Sequence, residues 1–362
     1  MSKDAELTRL AGRLRSFPAR PGTRIMEVCG THTVAIRRFG IQKLLPEGVR
    51  LVSGPGCPVC VTPERFIDEA VSLARQGVAV ASFGDMLRVP GSFSSLERER
   101  ADGRDVRAVY SPLDALAQAE GTGKETVFLA VGFETTAPAI AAVALKAVEK
   151  KAANFSLLTA LRLVPPALKA LIGEIPQGDA AAQPPAGSGL AGFLLPGHVS
   201  AIIGKHAYDF LLGHGLGGVI SGFEAVDIVS SLLLLLAMHE KGIYEIVNNY
   251  TRVVRDQGNE KSRGVMAEAF AVADAEWRGL GAIPASALEL RPAFAGLDAR
   301  RRFAIKVESA PPRLGCRCGE VLRGLVDPPA CPLFSKACRP DHPLGPCMVS
   351  AEGSCSAWVT YG

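Results

Sequence analysis

The stretch Val49–Asp85, VRLVSGPGCPVCVTPERFIDEAVSLARQGVAVASFGD, decides the fold class. VRLVSGPG reads as a strand running into a Gly/Pro loop, and VAVASFGD as a second strand. Between them TPERFIDEAVSLARQG carries helix punctuation: Thr62 as N-cap, Pro63 at the first helical position, Glu64 in the first turn and Gly77 as the stop. Strand, helix and strand in that order imply a βαβ unit with parallel strands, hence an α/β protein.

The same grammar extends outward. Upstream, GTRIMEVCG (Gly22–Gly30) is a short strand entering a Gly-bearing loop. Downstream, ETVFLAVGFETTAP leads into an Ala-rich helix over Pro138–Lys150, FSLLTAL is another strand, and GEIPQGDAAAQPPAGSG is a Pro/Gly/Ala-rich surface connection. GFLLPGHVS, a helix ending near His214, and GGVISGFEAVDI follow. Leu51–Val59 with Val78–Leu87 resembles Gly192–Ser200 with Gly217–Val226: strand, Pro-Gly loop, helix, then a strand ending near Gly and an acid. The reading is two similar parallel-sheet α/β domains facing a cleft, related by a pseudo-twofold, plus a C-terminal loop-rich module. The expected division is about 1–120, 121–230 and 231–362, with segments free to interchange. Loops at the carboxyl ends of parallel strands line ligand crevices. Cys29, Cys57, Cys60, Glu134, His198 and Glu224 all fall on such loops and are expected to meet there.

Composition narrows the function classes. The chain has 362 residues, 48% apolar and 21% charged, with a formal net charge of +4. Aromatics at 6% and the lack of Lys/Arg blocks argue against a nucleic-acid surface. Arg37-Arg38 and Arg300–Arg302 read as solvated helix faces. The apolar run Ile228–Met238 is interrupted by two serines and bounded by Asp227 and His239, short of the roughly 18 residues that a membrane span needs. It reads as a buried helix. The N-terminus MSKDAELTRLAGRLRSF is charged and amphipathic rather than apolar, so the expectation is a cytoplasmic protein.

In a reducing compartment, grouped cysteines point to metal or redox chemistry. Three of the nine lie in the first sixty residues and six crowd into Cys316–Cys355. The tail set, Cys316, Cys318, Cys331, Cys338, Cys347 and Cys355, is compatible with two zinc sites, an iron–sulfur cluster plus a thiol pair, or a disulfide knot. Zinc favours paired C-x₂₋₄-C knuckles, which are missing, whereas a cubane cluster tolerates uneven loops and needs four thiolates. Four ligands leave two cysteines as a redox pair. Cys57 and Cys60 stand as buried thiols, a soft-metal chelate with Cys29 as third ligand, or a thioredoxin-like disulfide. A following helix N-terminus would favour their thiolates. His32, three residues after Cys29, reads as base or ligand, or as a hydrogen-bonded histidine without a role. His198 and Glu134 carry the same two readings. His206, His214, His239 and His342 carry none.

MEVCGTHT, GPGCPVC, SFGDMLRVPGS, AVGFETTAP, PGHVSAIIG, SGFEAVDI and the tail CRCGEVLRG…CPLFSKACRP…GPCMVSAEGSC resemble the HypD family of hydrogenase maturation factors, in order and over most of the chain. The resemblance departs at no cysteine. The Ala/Pro-rich insert near Asp179–Gly189 and Arg300–Arg302 look peripheral to it. It implies a scaffold for the Fe(CN)₂CO group of [NiFe]-hydrogenases, with HypC as partner and HypE as cyanide donor, and the hydrogenase large subunit served indirectly. It further implies Cys29, Cys57 and Cys60 around Fe(II) that transiently carries CN and CO, with His32 beside them. In the tail it implies a [4Fe-4S] cluster in surroundings like those of ferredoxin–thioredoxin reductase. On that analogy Cys316, Cys331, Cys338 and Cys355 are the cluster ligands and Cys318 with Cys347 the redox pair that relays electrons to Cys57 and Cys60. A cluster-dependent protein disulfide reductase is the alternative from another class, and a zinc-stabilised binding module a third.

Overall fold

A computed structural model describes residues 2–173, 190–308 and 315–362. Among them the strands in chain order are β1 (Arg24–Glu27), β2 (Arg50–Ser53), β3 (Ala79–Ser82), β4 (Val106–Ala108), β5 (Thr126–Gly132), β6 (Phe155–Arg162), β7 (Leu190–Pro196), β8 (Gly217–Ser221), β9 (Ile246–Asn248), β10 (Phe270–Trp277) and β11 (Gly281–Leu290). They form two sheets. The first is all parallel, in the order β2-β1-β7-β8-β9. The second runs β10-β11-β6-β5-β3-β4, parallel from β6 to β4 and closed at one side by the antiparallel hairpin β10–β11.

Every residue of β5 and β6 is buried, which is why these segments read as unbroken apolar runs: a parallel strand is covered on both faces. Edge strand β10 is buried only at its ends, Phe270 and Trp277, and between them alternates half-buried and exposed residues. The helix Ala225–Lys241 covers the first sheet and buries Ile228, Leu232, Leu235 and Leu236, as its apolar run predicts.

The α/β class and the parallel strands agree with the sequence, but strand membership differs. β2 and β3, the two ends of the decisive stretch, lie in different sheets, so they do not form a βαβ unit. The chain crosses between sheets after β2, after β6 and after β9. The first sheet draws on 24–53 and 190–248, the second on 79–162 and 270–290, and the tail from 315 on is built around the cysteines. The internal likeness also fails to mark two domains, because β7 and β8 share one sheet whereas β2 and β3 do not. Local pattern specifies a strand, whereas its neighbour is chosen by long-range packing.

The largest apolar cluster joins both sheets and the tail, through Val28, Val52, Cys60, Val131, Phe133, Phe193, Trp277, Leu322 and Cys347. Arg37, Arg300 and Arg302 serve this architecture, whereas Arg38 and Arg301 stay on a solvated face. Arg300 bonds Glu69 Oε2 at 2.8 Å and the Thr159 carbonyl at 3.1 Å, and Arg302 bonds Glu125 Oε2 at 2.7 Å. Arg37 lies 3.3 Å from the ring centroid of Trp358, docking the C-terminal helix Ser354–Tyr361 on the helix Gly30–Arg38. Most of the connection Gly173–Gly189, with the insert Asp179–Gly189, lies outside the described residues. No helix among the described residues is long and apolar enough to cross a membrane.

Candidate metal and thiol centre

Adjacent parallel strands β1 and β2 end side by side, which brings the Cys29 loop against the Cys57 loop. Gly30 N–H donates to the Gly56 carbonyl at 2.9 Å. A Cβ on Gly56 would stand 2.5 Å from Cys29 Cα, so only glycine allows this approach. Cys29 begins the helix Gly30–Arg38, and Cys57 begins the single turn Pro58–Val61, where its Sγ accepts the Cys60 N–H at 3.3 Å.

All nine cysteines are free thiols, and five of them form a row. Cys60 stands within hydrogen-bonding reach of Cys57 and Cys347, and Cys318 within reach of Cys347 and Cys316. Cys347 is thus the shared member between the CxxC loop and the tail. Electrostatics along the row are uneven. Burial, then Cys347 and Cys57, push the Cys60 thiol up, so the expected N-terminal thiolate is not realised there: one helical turn offers too little dipole to offset desolvation. Cys347 moves down, because Cys318 and then Cys60 hydrogen-bond to its sulfur. Cys318, drawn down by Cys316 yet pushed up by Cys347 and burial, ends at about 12. Burial also carries Cys29 up to about 12.

Beside Cys29 one acid, Glu27, is buried and the histidine is neutral. Glu27 accepts from Cys29 N–H at 3.1 Å and from Thr33 Oγ1 at 2.7 Å, and burial raises its carboxyl to about 7. His32 is fully buried, and burial lowers it to about 4. Its Nε2 lies 2.9 Å from the Gly222 carbonyl, which can only accept, so Nε2 carries the proton and the buried Nδ1 keeps its lone pair without a hydrogen-bond partner among the described residues. His198, exposed, lies against Phe223 at 4.1 Å, and His32 meets the same ring at 4.7 Å. Glu352, from the tail, accepts from Thr31 Oγ1 at 2.7 Å. Neighbouring Ser350 Oγ donates to Asp85 Oδ2 at 3.1 Å, so the turn after Cys347 ties the Cys29 helix to the second sheet.

The strand-end residues are not all gathered. Glu134 is buried at the end of β5, accepts from Val164 N–H at 2.9 Å, and is raised to about 7 by burial. Glu224 caps the helix Ala225–Lys241 and pairs with Lys3. Among the described residues no three His, Cys, Asp or Glu side chains stand as a chelate for one ion, so Cys29, Cys57 and Cys60 share a region without forming a tripod. The six tail cysteines line one small cavity, walled by Leu333, Phe334 and Met348. Sequence reasoning missed Glu27, Glu352, Asp85 and Phe223 as site neighbours. Each lies within a quoted motif, but only folding shows which way it faces.

A family model described as "HypD: Hydrogenase formation hypA family" matches residues 7–362. The chain is 46% identical to the hydrogenase maturation factor HypD of Azotobacter vinelandii over 347 residues, covering 94% of this chain and 89% of that one. It is 44% identical to the hydrogenase expression/formation protein HupD of Azotobacter chroococcum, covering 99% and 94%. Against HypD of Escherichia coli K12 the identity is 41%, covering 96% and 91%.

Proposed function

The chain belongs to the HypD family of hydrogenase maturation factors, and from that premise we propose that it is the scaffold on which the Fe(CN)₂CO group of [NiFe]-hydrogenases is assembled. Iron is the cargo, held by the thiolates of Cys29, Cys57 and Cys60; soft sulfur suits Fe(II) while strong-field cyanide and CO are installed. HypC shares the scaffold, HypE delivers cyanide, and the hydrogenase large subunit receives the product indirectly, in the cytoplasm.

The observation that carries this reading is the unbroken row of thiols from Cys57 through Cys60 and Cys347 to Cys318. A pair that must hold iron has to be reduced, and the row supplies the means. With Cys57 and Cys60 oxidised, the Cys347 thiolate attacks Cys60 Sγ, and Cys57 leaves and takes the Cys347 proton. Cys318 then attacks Cys347, and its proton goes to Cys60 as that sulfur leaves. Two electrons and two protons pass from the Cys318/Cys347 dithiol to the Cys57–Cys60 disulfide. The lowered Cys347 thiol suits the attacking position.

Cys316, Cys331, Cys338 and Cys355 are the residues that would hold a [4Fe-4S] cluster. The donor set fits: sulfur alone, on the walls of an apolar cavity, as a cubane that takes one thiolate per iron requires. When bound, the cluster supplies single electrons beside the Cys318/Cys347 pair.

The test is anaerobic purification with HypC and infrared spectroscopy in the cyanide and CO stretching region. Absence of those bands in complexes from cells making active hydrogenase sinks the proposal. The reductase alternative is disfavoured by burial: Cys57 is 3% exposed and Cys60 fully buried, out of reach of a protein substrate. Cys29→Ala separates the two readings, since a reductase built on Cys57 and Cys60 keeps its activity and a scaffold loses iron.

A further inference from the structure

A pocket of about 420 Å³ is lined by the helix Glu260–Ala269, the start of β10 and the start of the helix Val164–Leu171. None of the nine cysteines lines it. The volume falls within the range of small-molecule sites, roughly 300–1,000 Å³. Its walls are apolar and include the buried side chains of Met266, Phe270 and Leu288. Glu134 is the one acid among the lining residues, whereas Arg263 and Arg291, both exposed, stand at the mouth.

Glu134 is 1% exposed, and capping of the neighbouring helix accounts for only half of its carboxyl. One oxygen, Oε1, accepts from Val164 N–H at 2.9 Å. The next two residues, Pro165 and Pro166, have no N–H to give, so the first turn of that helix offers nothing to the second oxygen. Oε2 is buried with no hydrogen-bond partner among the described residues. No cation among them pairs with the carboxyl either: burial raises it to about 7, and only main-chain N–H groups oppose that rise. A buried carboxylate with an unused acceptor and no counter-charge is costly, and a ligand that brings both a donor and a positive charge relieves it.

We propose that this pocket binds a small apolar primary amine, with its ammonium group on Glu134 Oε2 and its hydrocarbon body against Met266, Phe270 and Leu288. An alcohol brings the donor without the charge, and a carboxylate of the same length meets Glu134 with like charge. The site does not depend on the thiol exchange described under Proposed function.

Isothermal titration calorimetry of the full-length protein at about pH 8 tests this with hexylamine, hexanol and hexanoate, which share a chain length and differ in head group. Hexylamine is expected to bind one-to-one and at least about tenfold more tightly than hexanol, with hexanoate weaker still. Glu134→Gln keeps an oxygen for Val164 N–H and is expected to bring hexylamine down to the hexanol level while leaving hexanol as it was. Val272→Trp, at a wall position 60% exposed on the edge strand, is expected to fill the pocket and abolish binding of both. It leaves Glu134 untouched, which keeps the test informative should the first variant fold poorly. Equal affinity for amine and alcohol, tightest binding of hexanoate, or no binding of hexylamine to the parent overturns the proposal. Hexylamine binding that is unchanged in either variant overturns it as well.

Discussion

Glu134 shows what one buried carboxyl does to the pH response. Its pKa, raised to about 7 by burial from an unfolded value near 4.5, means that the folded chain binds its proton more tightly than the unfolded chain. The stability that goes with that proton is fully present below about pH 4.5 and is lost as pH rises through about 7. Glu134→Gln keeps an oxygen for Val164 N–H but does not titrate. The variant is expected to gain on the parent between pH 5 and pH 8 by on the order of 2–3 kcal/mol, read as the difference in urea midpoints. A constant difference across that range would remove burial as the cause. At Gly56 the constraint is steric. Gly56→Ala drives a methyl into the Cys29 backbone and is expected to destabilise by about 2–3 kcal/mol in the same assay.

At the level of elements, the docking of the last helix on the helix that begins at Cys29 rests largely on the Arg37–Trp358 contact. Trp358→Ala is expected to raise amide hydrogen exchange across Ser354–Tyr361 at least tenfold and leave β5 and β6 unchanged; uniform loosening would mean that the tail is part of one global unit. Much of this level is legible in sequence. The helix Glu64–Arg75 with its stop before Gly77, the apolar run within Ala225–Lys241 and the buried strands β5 and β6 follow from local pattern; Thr62 is not the N-cap, since Pro63 holds that place and Thr62 Oγ1 turns back to the Pro58 carbonyl. The role of Arg300 does not: an Arg-rich turn reads as solvated until Glu69, more than two hundred residues away, arrives beside it. The cysteine loops were placed correctly at strand ends, yet the burial of Cys57 and Cys60 and the bridging place of Cys347 depend on the tail folding back, which no spacing encodes.

For the whole molecule, Cys347 belongs to the apolar cluster that joins both sheets to the tail, and removal of its sulfur should divide the chemistry. Cys347→Ser is expected to leave the fold and the cysteine-lined cavity in place while stopping reduction of an oxidised Cys57–Cys60 pair from the tail; thiol trapping after anaerobic reduction reads the loss. Retained reduction would show that another route serves the pair. Sheet membership itself was not legible, since β2 and β3 have indistinguishable local patterns and part only through long-range pairing.

The interleaved order of strands has a consequence for synthesis. β1 lies between β2 and β7, so the first sheet is incomplete until Leu190–Pro196 has left the ribosome, well over a hundred residues after the Cys57 loop has emerged. At typical elongation rates of about 5–20 residues per second, those two thiols spend on the order of ten seconds uncovered on every nascent chain. Whatever keeps them from oxidation in that interval acts before the protein's own Cys347 has been made.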